Sequence, residues 1–415
     1  MSMSTALPDN ERWPMIDERR AKVSPAESSA YEQSIARTAG AAYGVAFGYA
    51  RHALISVLDA APSCGLGAGA EVILSPLTCK VVPLALLSMK LKPVYADISA
   101  ETLNLDPQRV ESAIGPATRA ILFQHTYGHL AGVEAVATIA ARKHLLLVED
   151  CAQCLPYAAD GYHPGKWAGR LGHAAIFSNN LLKPMPAGSG GVAVTDNHRL
   201  AAAVRERRDR LPLRGRLAEA RLWAERQLHR HLLRPKLYWP LFEINRSFGS
   251  GYRTRSLAAE MAGEINDRAC QISASQARTG LSWLSRLPAN AALRRSNCAN
   301  YADALREIKG LKTPCAGAAE PLYYFPALVE EKRELLRQAR RRLLEIIPWP
   351  LQTPIYPVER EADLPAYGYS PGSCPVAEGT ARRLIGLPTA STVDQRQRDA
   401  LTALLRDHYA GNGGD

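Results

Sequence analysis

No run of roughly 18 apolar residues occurs in this 415-residue chain, so no membrane-spanning helix is expected. The stretch MSMSTALPDNERWPMIDERR at the start lacks the apolar core of a secretory signal, and the expected location is therefore the cytoplasm. Motifs for nucleic-acid recognition are missing too. Cys151 and Cys154 form a C-x-x-C pair among eight cysteines, but no second pair or histidine cluster completes a tetrahedral set. They are read as buried free thiols, and no metal is expected.

What is present describes a globular protein. Hydrophobic residues make up 47% of the chain and charged residues 22%. The length suggests two or three domains. The net charge of +11, with no nucleic-acid motif beside it, suits phosphorylated substrates or an anionic membrane.

The most informative stretch runs from Leu145 to Thr195. Leu145 to Val148 is a short apolar run ending on Glu149 and Asp150, the pattern of a buried parallel strand that delivers a carboxylate at its C-terminal edge. A second run, Ala174 to Phe177, stops at Ser178. Lys183 follows, then Pro184 and the glycines Gly188, Gly190 and Gly191, and the run Val192 to Thr195 closes the unit. This suits pyridoxal phosphate chemistry. A lysine holds an aldehyde cofactor as an imine and passes it to an incoming amine. A carboxylate at the pyridine nitrogen keeps the ring an electron sink. Lys183 and Asp150 are the candidates for those catalytic roles, with Gln153 at the phenolic oxygen and Ser178 at the phosphate. Asp150 by itself would more often be a helix cap or an ion-paired acid, and it is Ser178 and Lys183 at the ends of later strands that favour the functional reading.

The run EDCAQ at 149–153, the Ser178 to Lys183 spacing and GSGGVAVTD at 188–196 together resemble the DegT/DnrJ/EryC1/StrS family of pyridoxal-phosphate-dependent aminotransferases. The resemblance covers about 40–200 and 285–408. It implies an α/β fold of fold type I: a large domain with a mixed, mainly parallel seven-stranded sheet, and a small C-terminal α/β domain. It also implies a homodimer with shared active sites, in which Lys183 is displaced by glutamate or glutamine. The amino group then goes to a keto or aldehyde group, expected on a nucleotide-linked or phosphorylated sugar. Two alternatives stay open: a deoxysugar dehydratase of the same family, whose members usually have histidine where Lys183 stands, and a non-catalytic cofactor-binding protein for regulation or assembly.

The other segments fill in this outline. Residues 1–35 read as a polar arm with a helix from about Ala26. GVAFGYARHALISVL at 44–58 reads as a glycine-bearing turn opening onto a helix, whose first-turn amides suit a phosphate. The family's matching element implies that Arg51 and His52 face the cofactor phosphate. Strands are expected at 71–74, 93–98 and 119–123, with a helix over about 79–89 between the first two and another over 133–143 leading into Leu145, and Asp97 and Asn104 are expected to serve turns. GLGAG at 65–69 precedes a strand, the wrong order for a nicotinamide-binding turn.

Cys79 departs from the family, which usually has an aromatic residue there to stack on the cofactor ring. A second departure concerns the partner-subunit phosphate contact. It places Ala269 and Gln271 where the family has asparagine and arginine, with Asn266 and Arg268 as displaced equivalents. The large domain is assigned to 36–200, an arginine-rich insertion to 201–262, and an interdomain helix plus the small domain to 263–415. In the insertion Leu217, Ala220, Ala224, Leu228 and Leu232 share one helical face, expected to pack on protein. Alternatively, 205–244 contacts an anionic membrane, with Trp223, Tyr238, Trp239 and Phe242 at the interface. Toward the C-terminus, helices are expected at 289–307 and 330–345, a strand at 322–329, and a helix, an LP turn and a final helix over 375–405.

Overall fold

The computed structural model describes residues 25–61, 66–156, 168–232, 239–240, 257–390 and 393–411. Helix α1 (Pro25–Thr38) leads into β1 (Tyr43–Phe47) and α2 (Ala50–Asp59). Gly44 therefore belongs to a strand, and the turn expected from residue 44 is confined to Gly48 and Tyr49. Then come β2 (Glu71–Leu74), β3 (Thr78–Cys79), α3 (Val81–Ser88), β4 (Lys92–Tyr95) and α4 (Pro107–Ala113). The large sheet is completed by β5 (Thr118–Gln124), β6 (Leu146–Asp150), β7 (Ala174–Ser178) and β8 (Gly191–Thr195), with α5 (Val133–Arg142) crossing from β5 to β6.

Seven strands lie in the order β1-β8-β7-β6-β5-β2-β4. The β4, β2, β5, β6 and β7 neighbours are parallel, whereas β8 runs antiparallel to both β7 and β1. This is the mixed, mainly parallel sheet the resemblance implies. Its central strands are buried along their whole length, which is why they read as unbroken apolar runs. Val148, Ile176 and Ala193 point to the face covered by α2 and α3. Leu147, Ile121 and Phe123 point to the opposite face, covered by α5.

After the sheet, α6 (His198–Asp209) packs on β1, β8 and α2, and α7 (Arg216–Leu232) follows it. The face expected to pack on protein points outward. Leu217 is 89% exposed and Leu228 56%, whereas Leu222 and Arg226 are buried. Leu222 lies against Gly188, where a Cβ would come within 2.5 Å of its Cδ1. Of the aromatics assigned to a membrane interface, Trp239 is buried instead. Its indole nitrogen donates to Leu344 O at 2.6 Å, and Arg340 covers its ring. Trp223 is exposed, and Tyr238 and Phe242 lie outside the described residues. No helix among the described residues is long and apolar enough to cross a membrane.

The chain then passes a π-helical turn (Met261–Asn266), α8 (Ala274–Leu284) and the long α9 (Leu287–Leu305). The C-terminal part contains β9 (Tyr324–Leu328), α10 (Lys332–Arg341), β10 (Ile355–Tyr356), α11 (Pro375–Arg383), β11 (Leu384–Pro388) and α12 (Gln395–Gly411). The LP sequence expected as a turn is the end of β11, paired antiparallel with β9. Asp97 caps α11, accepting from Val376 N and Ala377 N at 2.9 Å each, and Asn104 holds the chain at Thr126, His129 and Ala131. Through β10, which pairs parallel with β3, the C-terminal part reaches Cys79.

Candidate active site

Successive side chains of a strand face opposite sides of the sheet. Glu149 and Asp150 at the end of β6 are thereby separated. Glu149 faces away from α2, accepts from the N–H groups of Gly169, Leu171 and Gly172, and pairs with His125 Nε2 at 2.8 Å, both side chains having no exposure. Burial alone would push His125 down; the Glu149 hydrogen bond and charge outweigh it and bring the imidazole up to about 9. Cys151 approaches this pair closely enough for a metal cluster, but the Glu149 oxygens are already filled by donors.

Asp150 faces α2 and is buried. One carboxylate oxygen accepts from Ala152 N at 2.9 Å; the other has no donor among the described residues. Burial raises its pKa, against the opposing pull of the Ala152 N–H and the charges of Lys183 and His125. Gln153 is buried beside it and accepts from Tyr127 N at 2.8 Å, which leaves its amide nitrogen without an acceptor among the described residues. Lys183 is half-buried in the loop after β7, and the acidic groups that act on it are Cys79, Asp150 and Cys154. Burial lowers its pKa, and those groups only partly offset the shift. Cys79 is half-buried, with Tyr356 as its strand partner.

Ser178 ends β7 opposite Gly191 and accepts weakly from Asn180 N at 3.4 Å. Above it lies the start of α2, which packs on β7 and β8. The N-cap residue Tyr49 makes no side-chain cap; His52 N donates to Tyr49 O at 3.2 Å, and the Ala50 and Arg51 N–H groups have no partner among the described residues and face an anion site. Arg51 pairs with Glu264 and also donates to Glu264 O at 2.9 Å. His52 is buried with Nε2 at 2.7 Å from Ile265 O, and burial takes it down to about 4. The structure thus brings Lys183 within electrostatic reach of Asp150 and Cys79, with Gln153 three residues beyond Asp150 and Ser178 at the end of β7, on which α2 packs. It ties the Arg51 and His52 side chains to the π-helical turn.

Three residues that sequence reasoning missed, Tyr49, Arg214 and Tyr323, complete the surroundings. Arg51, Arg214 and Arg268 surround the Tyr49 ring, with their guanidinium carbons 5.2, 5.2 and 5.9 Å from its centre. Arg214 also donates to Ser189 Oγ and Gly48 O. Of the two arginine positions considered, Arg268 reaches the α2 terminus. Gln271 instead binds Leu211 O and pairs with Phe47. From the C-terminal part, the Tyr323 hydroxyl donates to Leu182 O, next to Lys183. The only local signal for Tyr323 was the aromatic pair in LYYF.

The residues present fit pyridoxal phosphate: a Gln153 amide nitrogen and an Asp150 carboxylate oxygen without partners among the described residues, a half-buried lysine whose charge acts on Asp150, and a start of α2 without a side-chain cap. "L-glutamine:2-deoxy-scyllo-inosose aminotransferase" of Streptoalloteichus tenebrarius is 38% identical over 146 residues, 35% of this chain but only 34% of that protein. "dTDP-3-amino-3,4,6-trideoxy-alpha-D-glucose transaminase" of Micromonospora megalomicea is 27% identical over 92% of this chain and 89% of its own length. Among solved structures, NtdA of Bacillus subtilis with bound cofactor PMP has a TM-score of 0.70 at 19% identity, covering 94% of this chain and 78% of that one, a likeness of fold. The match to the family itself runs over residues 19–406, and the chain belongs to the DegT/DnrJ/EryC1/StrS aminotransferase family.

Proposed function

We propose that this protein is a pyridoxal-phosphate-dependent aminotransferase that moves an amino group from glutamate or glutamine to a keto or aldehyde group, on a nucleotide-linked or phosphorylated sugar. The observation that carries the reading is the convergence of Asp150 and Lys183, each with a pKa displaced by burial, at the C-terminal ends of β6 and β7. Crevices at strand ends are where such sheets bind ligands.

When bound, the cofactor supplies an electron-withdrawing ring. Asp150 supports it by placing a negative charge at the ring nitrogen. Burial of Lys183 makes its neutral amine more available near neutral pH, so Nζ can take the proton from the substrate carbon and return it on the other side of the transfer. Gln153 orients the ring through its spare amide N–H. Ser178 and the α2 amides hold the phosphate. Arg51, Arg214 and Arg268 add positive charge at that end, and the basic balance of the chain favours phosphorylated substrates. The molecule acts as a homodimer with its sites at the subunit interface, the arrangement expected of the family.

Borohydride reduction followed by peptide mapping tests the lysine. The cofactor label should appear on Lys183 and vanish in Lys183→Ala, along with turnover; label on Lys80 or Lys166 refutes the assignment. Asp150→Asn should keep bound cofactor and lose most turnover. A non-catalytic role for the chain predicts no change in the cofactor spectrum when glutamate or glutamine is added, whereas the aminotransferase reading requires one.

A further inference from the structure

The loop that carries Lys183 leaves β7 at Asn179 and returns to β8 at Gly190, and one residue binds it at several points, twice through its backbone and once through its side chain. Asn179 is 1% exposed. Its backbone N–H donates to Gly190 O at 3.0 Å, and its carbonyl accepts from Ala187 N at 2.8 Å. Its side-chain amide donates to Met185 O at 3.0 Å. The remaining side-chain oxygen accepts from the Tyr31 hydroxyl at 2.8 Å. Two points in the middle of the loop and its closing end are thus gathered onto one residue four positions before the lysine.

Tyr31 belongs to α1, 148 residues before Asn179 in sequence, and is fully buried. Its ring fills the space above Gly280 of α8, where a Cβ would fall 2.4 Å from the ring. Burial drives its hydroxyl pKa far up, so it stays a donor at every working pH. It packs in the cluster that contains Cys154, Phe177 and Met185, the underside of the site. The ring is therefore locked, and its one polar atom is aimed at the loop staple.

We propose that Tyr31 and Asn179 act as a pair of positioning residues, holding the 179–190 loop so that Lys183 stands in register with Asp150. Neither touches the reacting atoms. The proposal rests on the reading of Lys183 given above, and its consequence is that the N-terminal helix sets the geometry of the lysine.

The test compares Tyr31→Phe, which keeps the ring in the Gly280 slot and deletes only the hydroxyl, with Asn179→Ala and the double variant. Hydrogen exchange of the Leu182, Lys183 and Ala187 amides reports on the loop whether or not the cofactor chemistry is as proposed. For Tyr31→Phe these amides should exchange about 2- to 12-fold faster, the scale of one buried neutral hydrogen bond, while the β5 and β6 amides stay unchanged. The kcat should fall by a similar factor, with KM for the amino donor held. The double variant should be no worse than Asn179→Ala, because that change already breaks the Tyr31 bond together with the one to Met185 O. Unchanged loop exchange in Tyr31→Phe, equal acceleration in β5 and β6, or additive losses in the double variant would each overturn the proposal. A borohydride label away from Lys183 would instead sink the functional reading, leaving the exchange result to judge the staple alone.

Discussion

Replacing Gly191 by alanine should damage the phosphate end of the site by a route that burial alone does not suggest. Gly191 opens β8, opposite Phe47 of β1 and Ser178 of β7. A Cβ on it would lie 2.2 Å from Ala50 Cα, 2.5 Å from Ala50 Cβ and 2.6 Å from Ala50 N. Carbon atoms in contact sit about 3.5–4 Å apart, so the first residue of α2 must retreat by roughly 1–2 Å. It cannot do so freely, because His52, Ala53, Leu54, Val57 and Leu58 are buried along the same helix. Overpacking of this kind costs about 1–3 kcal/mol. In a chain of 415 residues, with an unfolding entropy of about 2.1 cal/mol/K per residue, that lowers Tm by about 1–3 °C. The first-turn amides move with Ala50, so cofactor should be lost faster on dialysis, read from the visible absorbance. Gly67→Ala is the control, since no atom lies within 4 Å of its added Cβ. A Gly191→Ala protein with native Tm and native cofactor retention would refute the reasoning.

Two further outcomes are expected. His52 is held at about 4 against an ordinary 6.5, so the unfolded chain binds its proton first. The resulting stability is fully present above pH 6.5 and is lost as pH falls toward 4, on the order of 3 kcal/mol. His52→Gln should flatten that part of the urea-unfolding pH profile, and an unchanged profile would count against it. Sedimentation velocity should show a dimer, and an active monomer would remove the shared-site assembly.

Much of the site-bearing unit was legible locally. Strands β6, β7 and β8 are buried on both faces, and such strands leave unbroken apolar runs with polar residues only at their ends. Asp150, Ser178 and Lys183 stand at those ends, so a reader of the sequence finds them without knowing the sheet order. Strand β1 escaped because YGVAF runs into the glycine turn before α2, and its identity depends on pairing with β8, some 150 residues later. The α7 stripe shows a different limit. Periodicity gave a helix with an apolar face, but Leu222 and Arg226 face the body because Gly188 leaves room there, and the stripe faces out.

Only the tertiary structure decided the partners of the site residues. Cys79 meets Tyr356, Tyr31 meets Asn179, and Arg51 and His52 meet the turn at Glu264 and Ile265. Hydrogen bonds of this range leave no trace in local composition or spacing, because either partner alone looks like an ordinary polar residue. Which two are brought together is settled by strand order and helix packing, and these follow from how the whole set of apolar faces is buried at once.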